Sequence, residues 1–459
     1  MSIDTTSKAY RNRVLAVCCV ASSLVPFMGS SINLALPQIA REFTLNGVEQ
    51  SWLLTAYLLS TAILQVPFGR ASDIFGKRRI FVTGLIIFIL STIGCGFAYN
   101  GLMLTVCRAI QGVGSAMVFC TNTAIISLVF PASERGMAMG VNVAMVYISL
   151  AIGPSVGGFI TQSLGWEWVF FITAAIATIS LSGAFVVMKE RWAETEGEPF
   201  DMRGAVIYGF AVLALIYGLT LLPHLVGFTL IVASLLLFWF FARRELKIKY
   251  PVFNVHLLAT NRIFRMSSAA ALINYAATYP IGFLLSLYLQ EIRVMSVRDA
   301  GLLLIVQPVV QTILSPFAGK LSDRFQPRII ASAGMAMIAV TLLAVAFIKP
   351  ETPLWVLIAA LALMGIGFAA FSSPNTNAIM GSVERRYYSM ASATTGTVRL
   401  VGQAFSMGIT TMIISLVIGA KAITPEVSDA LMRVVNIVFV IFSVLCAFGV
   451  YTSMARGKR

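Results

Sequence analysis

Gly69-Arg70-Ala71-Ser72-Asp73-Ile74-Phe75-Gly76-Lys77-Arg78-Arg79 is a charged, glycine-flanked island between two long apolar runs, Trp52 to Phe68 and Ile80 to Ala98. A second island, Gly319-Lys320-Leu321-Ser322-Asp323-Arg324-Phe325-Gln326-Pro327-Arg328, repeats its Gly, Ser-Asp, Phe and closing Arg at matching places. Glu134-Arg135 and Glu384-Arg385 are separated by the same offset as the islands. A mark repeated in both halves of an apolar chain points to a duplicated membrane bundle, and so to transport.

Composition agrees. Of 459 residues 58% are hydrophobic and 11% charged, against roughly 25% charged in soluble domains. Mean hydropathy is +0.87, and many apolar runs are long enough to cross a bilayer. The formal charge of +14 does not indicate nucleic acid, because the basic residues cluster beside apolar spans as topology determinants do. No cleavable leader is expected, since Met1–Arg13 is polar and the run after it is long enough to span. The six cysteines lie in apolar spans without metal-ligand spacing, and there are only two histidines, His224 and His256. They read as packing residues, so neither a metal nor a cofactor is expected.

Breaking the apolar runs at charged or Pro/Gly-rich punctuation gives fourteen spans. Six run from Val14–Leu36 to Trp166–Met188, a pair covers Gly204–Leu222 and Val226–Ala242, and six run from Met266–Leu289 to Val434–Ser453. Continuous apolarity without alternation means helices rather than barrel strands. The expected organisation is a six-helix bundle over 1–190, a linker and inserted helix pair over 191–250, and a second bundle over 251–459. The acidic stretch Lys189–Arg203 reads as a solvated linker. With both termini cytoplasmic, about 25 of the 33 Lys and Arg fall inside and about six outside.

The first island is not a phosphate loop: Lys77 is followed by Arg78, and Ala71 stands where the first glycine is needed. ATP-driven pumping therefore has no support. Gly69 and Gly76 allow tight turns, and Asp73 with Arg78, like Asp323 with Arg324 beside Gly319, offers a charge network that locks one conformation. A positive-inside anchor is the competing reading, and the repetition favours the network.

These motifs resemble the major facilitator superfamily, in particular its fourteen-helix drug-exporter branch. The first island matches that family's loop between helices two and three, and Arg108-Ala109-Ile110-Gln111-Gly112-Val113-Gly114 matches its fourth-helix signature. Gly140, Gly153-Pro154 and Gly157-Gly158 match the fifth-helix exporter signature, with Ser149 where glycine is usual. Trp52, Tyr57, Pro67, Asn33, Ala35-Leu36-Pro37 and Tyr288-Leu289-Gln290 also fit. The resemblance implies a secondary exporter of drugs or other amphipathic solutes, monomeric, in the cell membrane, working by alternating access with protons as the coupling ion. It also implies a coupling or gating role for Arg108 and a gating role for Gly153, Pro154, Gly157 and Gly158, which would hold the halves together on one face. One departure bears on coupling: the branch carries an Asp five residues before Asn33, where this chain has Met28.

Candidates for the coupling or substrate path are Asn33, Arg108, Gln111, Asn274, Tyr275, Tyr279, Gln307, Asn375 and Arg399, with Asn122, Asn142, Tyr147 and Gln403 among further polar groups inside spans. Helix-to-helix bonding competes at each position. An arginine inside a span costs on the order of 2.5–3.5 kcal/mol on insertion scales, so Arg108 and Arg399 should face a cavity or a partner. If both line the cavity unpaired, an exporter of organic anions or neutral metabolites becomes the alternative. A non-transporting sensor or membrane enzyme is a rival of another class, but no catalytic constellation supports an enzyme.

Overall fold

In a computed structural model, residues 7–45, 47–419 and 428–457 are described, the side chains at 33, 34, 37, 47, 48, 51, 297 and 298 excepted. Among the described residues, fourteen helical segments are long and apolar enough to cross a membrane. The amino-terminal six are α1 (Lys8–Glu42), α2 (Gly47–Phe75), α3 (Lys77–Gly96), α4 (Gly101–Val129), α5 (Ala132–Ser163) and α6 (Glu167–Val187). The inserted pair is α7 (Met202–Thr220) and α8 (Leu225–Glu245), and a short helix α9 (Val255–Thr260) leads into the second half. There the spans are α10 with α11 (Arg262–Thr278, Ile281–Leu287), α12 with α13 (Val297–Leu304, Val306–Arg324), α14 (Pro327–Val345), α15 (Leu354–Gly381), α16 (Tyr388–Val417) and α17 (Ser428–Met454).

Side-chain caps fix several helix starts: Ser7 accepts from the Tyr10 N–H, Asn100 from Met103 and Asn261 from Phe264. Each supplies an acceptor to an N–H group that the first turn leaves unpaired. The seventh core span is interrupted at Tyr279-Pro280, because proline has no N–H to donate and crowds the preceding turn.

The charged islands are not loops. Helix α2 continues through Asp73 to Phe75, and a single residue, Gly76, separates it from α3. Gly76 has φ +97°, and a Cβ there would lie 2.8 Å from the Arg191 carbonyl oxygen, so both conformation and space call for glycine. The second island likewise stays helical to Arg324, and Pro327 opens the next helix at its first turn.

The acidic stretch after α6 is not a free linker either. It lies across the first island as a strap. The Thr195 N–H donates to the Asp73 carbonyl (3.1 Å) and the Lys77 N–H to the Trp192 carbonyl (3.3 Å). Glu194 pairs with Lys77 and Glu198 with Arg70. The acidic residues are held because buried cations of the island need counter-charges.

Each half packs as its own bundle around glycine contacts: Gly84 on α3 meets Gly114 on α4, and Gly334 on α14 meets Gly367 on α15, backbone against backbone. Helix α7 sits in the seam between α2 and α16, where the Tyr208 hydroxyl donates to Thr397 (3.1 Å). Helix α8 lies outside it and exposes Leu235, Leu236 and Phe240, as a lipid-facing helix does. Its last turn is tied to α7 by Arg244, which bridges Asp201 and Glu245. Hydrogen bonds from Arg244 hold the Asp201 carboxyl below the usual carboxylate range.

Candidate functional site

Between the halves, bonds and close contacts cluster on the face that carries both termini. The Asp323 carboxylate on α13 accepts from the Gly136 and Met137 N–H groups of α5 (2.7 and 3.0 Å). Gly319 lies so close to Gly136 that a Cβ there would sit 2.1 Å from its carbonyl oxygen. The Ser373 hydroxyl donates to the same carbonyl (3.2 Å). Across the pseudo-symmetric seam, Gly69 of α2 abuts Ser389 and Ala393 of α16, Ser392 donates to the Phe119 carbonyl (2.9 Å) and Arg385 to that of Leu128 (3.3 Å). A carboxylate taking two N–H bonds and two glycines in backbone contact make a tight, directional seal.

Asp73 does not copy Asp323. It is buried beside α3 and pairs with Lys77 at 2.9 Å, and Lys77 in turn reaches Glu194. Lys77 is 0% exposed. The buried cation of the first island is thus Lys77, whereas Arg78 makes no ion pair among the described residues. Sequence inspection misses this because three cations stand in a row and only the helix register selects among them. Arg324 is exposed and stands outside the seal. The fifth-helix glycines also lie elsewhere than expected. A Cβ at Gly153 would meet the Ser30 hydroxyl and one at Gly157 would meet Ser31, both on α1 of the same half. Ser31 donates to the Gly153 carbonyl (3.0 Å). In this conformation those glycines join α5 to α1 within the first half; Pro154 is exposed and Gly158 half-buried.

Lys77→Met is expected to leave Asp73 and Glu194 as uncompensated neighbours. Removing one partner of a buried ion cluster costs about 3 kcal/mol. The strap should loosen, which limited proteolysis within 189–200 would read as faster cleavage. Asp73→Asn keeps the Lys77–Glu194 pair and is expected to lower transport several-fold while membrane insertion stays intact. Unchanged flux at matched protein amounts would remove Asp73 from the locking role.

Above the seal, at mid-membrane depth, lies a cavity of about 400 Å³ walled by both halves. Arg108, Tyr275, Tyr279 and Arg399 line it, together with Tyr57, Phe119, Asn122, Asn142, Tyr147 and Gln403. Among the described residues, neither Asp nor Glu contributes to its wall. Arg108 is buried and already engaged. Its Nε donates to the Leu53 carbonyl (3.2 Å), its Nη1 to Gln111 (2.5 Å), and its plane lies 4.3 Å from the Tyr57 ring. Gln111 is held in turn by Thr92 (2.6 Å), behind the wall. Arg399 stands 4.7 Å over the Phe119 ring, and among the described residues it makes neither an ion pair nor a hydrogen bond. A guanidinium has five N–H donors, and those of Arg399 remain for a solute.

Ser22, Asn122 and Asn142 form one cluster joining α1, α4 and α5 on the cavity wall: Asn122 donates to Ser22 and Ser22 to Asn142, each at 2.7 Å. Asn274 and Asn375 are buried outside the cavity wall, and Asn375 donates to the Ser267 carbonyl (3.2 Å). Gln307 bonds to Gln311 (2.7 Å) along α13. Asn33 falls outside the described side chains. Met28, at the place of the branch's carboxylate, is buried in α1. A larger groove, about 660 Å³, runs between α2 and α7, but its lining is apolar and faces the bilayer. Without polar groups to orient a solute it is no specific site.

Two six-helix bundles, sealed together at one face around a polar mid-membrane cavity, define a solute carrier rather than an enzyme or pore. The chain belongs to the Major Facilitator Superfamily, whose family model matches residues 18–253 and 267–457. It is similar to the riboflavin transporter RibZ of Clostridioides difficile (28% identity, covering 86% of each chain) and to the uncharacterized transporter YebQ of Escherichia coli (30%, covering 84% of this chain and 85% of that one). It is also similar to the methylenomycin A resistance protein of Bacillus subtilis (27%, 90% of each). In fold it matches the crystal structure of the human organic anion transporter MFSD10 with a TM-score of 0.69, covering 96% of this chain and 99% of that one at 13% identity.

Proposed function

We propose that this transporter exports small amphipathic organic solutes, anionic or rich in acceptor groups, by alternating access. The observation that carries this reading is the cavity's charge: two guanidiniums and, among the described residues, no carboxylate. A cationic drug entering it would meet like charge in a region of low dielectric, whereas an anion meets the free donors of Arg399. The volume suits a drug-sized molecule, and Tyr275, Tyr279 and Phe119 offer faces for a planar ring. Likeness to proteins named for riboflavin transport and methylenomycin resistance supports an organic solute.

The abundance of Lys and Arg on the terminal face supports a cytoplasmic position for it, in the cell membrane. The conformation is then outward-facing, sealed towards the cytoplasm. The moving bodies are the bundles 1–190 and 251–459, with 191–250 carried between them, in a monomer. The acids stand away from mid-depth, as with Glu42, which accepts from the Trp166 indole (2.7 Å) near the opposite face. Coupling through a cavity carboxylate has no group to act on here. An anion leaving a negative interior gains about 2.3 kcal/mol per charge per 100 mV. The membrane potential therefore replaces the proton gradient as the driving force in this reading.

Proteoliposome flux tests both parts. An imposed potential, positive on the release side, should accelerate organic-anion flux several-fold, and a pH gradient at zero potential should not. Preferential movement of cationic dyes, or flux driven by the pH gradient alone, would overturn the reading.

A further inference from the structure

The outer surface of the second half carries a groove of about 470 Å³ between α13 and α15. Its walls are Leu314, Phe317 and Leu321 on α13 and Ile366 on α15, with Ala369 and Ala370 as a low floor. Phe317 is 67% exposed and Leu321 43%, so the slot opens sideways into the bilayer. At its terminal-face end stand Lys320 and Arg324, both exposed and both without an ion pair among the described residues. Residues 317, 320, 321 and 324 are three or four apart and so share one helix face. The intervening acid, Asp323, is engaged by Gly136, Met137 and Asn377.

The dimensions match a lipid. From Leu314 to Arg324 the helix rises about 15 Å at 1.5 Å per residue, which is half of a hydrocarbon core about 30 Å thick. The slot is thus one leaflet deep, apolar along its length, with two cations at headgroup level.

We propose that this groove is a binding site for an anionic phospholipid, one acyl chain lying along Phe317 and Leu321 and the phosphate held by Lys320 and Arg324. A zwitterionic lipid brings an ammonium beside its phosphate and so leaves the two cations without net counter-charge, and an apolar protein helix would bury them unpaired. A basic cluster at the end of an apolar slot between transmembrane helices is the chemistry that anionic headgroups recognise. The site is independent of the transported solute. It lies on α13, the helix whose adjoining face carries Gly319 and Asp323 of the seal.

The test is retention of phosphatidylglycerol by the intact protein in detergent, measured by native mass spectrometry beside phosphatidylcholine and the free headgroup glycerophosphoglycerol. The wild type should retain phosphatidylglycerol preferentially and ignore the free headgroup. Lys320→Gln with Arg324→Gln should weaken that retention roughly thirtyfold. Ala370→Phe, which fills the floor but keeps both cations, should weaken it as well. The same pair of changes at Lys247 and Lys249 should leave it unaltered. Equal retention of the two lipids, binding of the free headgroup as tightly as the lipid, full retention in either groove variant, or a matching loss in the Lys247/Lys249 control would each overturn the site.

Discussion

Arg399→Gln is expected to lower organic-anion flux in proteoliposomes by about tenfold and to leave a neutral solute of the same shape nearly unaffected. Hydrogen bonds to charged groups contribute about 1.5–3 kcal/mol each, and Arg399 has its donors uncommitted among the described residues. Removing it therefore takes away solute contacts rather than structural ones. Arg108→Gln makes the contrasting case. That side chain is tied to Leu53, Gln111 and Tyr57, so its loss should disturb the packing of α2 on α4 and affect every solute. Arg399→Lys should recover only part of the anion flux, because an ammonium keeps the charge but loses the planar fork over Phe119. If Arg399→Gln depressed anionic and neutral solutes equally, with protein amount matched, its role would be structural and the anion reading would fall.

Most of the architecture is legible in the residues, because a bilayer leaves the chain few choices. Fourteen apolar runs have to become helices, and the duplicated islands align the halves. The islands' own geometry is not legible. A cluster of charges between apolar runs reads as a loop. Here the helices run through it, because Asp73 pairs with Lys77 one turn away and Gly76 alone supplies the left-handed break. The strap is invisible for a similar reason: acidic residues over 189–200 look solvated until the fold sets Glu194 against a buried lysine. At the cavity the two arginines announce themselves by their cost in an apolar span. Gln307 and Asn375 look the same in sequence but bond away from the wall, and Asn274 is buried outside it, since polarity in a span does not reveal which face it occupies. Phe119, which lies under Arg399, carries no signal to separate it from other aromatic residues.

The seal offers the second large effect. Gly319→Val should abolish most transport by holding the terminal face open. A Cβ at Gly319 would stand 2.1 Å from the Gly136 carbonyl oxygen and 2.8 Å from its carbon, and neither can turn aside as a side-chain end would. Helices α5 and α13 would have to part, which also draws Asp323 from the two N–H groups it accepts. Overpacking of this kind costs about 1–3 kcal/mol or more, enough to shift a balanced two-state equilibrium five- to more than a hundredfold towards the open form. The clash exists only when this face is closed, so insertion and yield should stay near normal. Ser373→Cys reports the state directly, because Ser373 is fully buried in the seal. A membrane-impermeant maleimide applied to the terminal face should label that cysteine rapidly in the Gly319→Val background and slowly without it. Wild-type flux together with slow labelling in the double variant would mean that α5 and α13 tolerate the added methyl groups while closed. The backbone contact would then be incidental to the transport cycle, and the seal would have to reside in the α2–α16 seam alone.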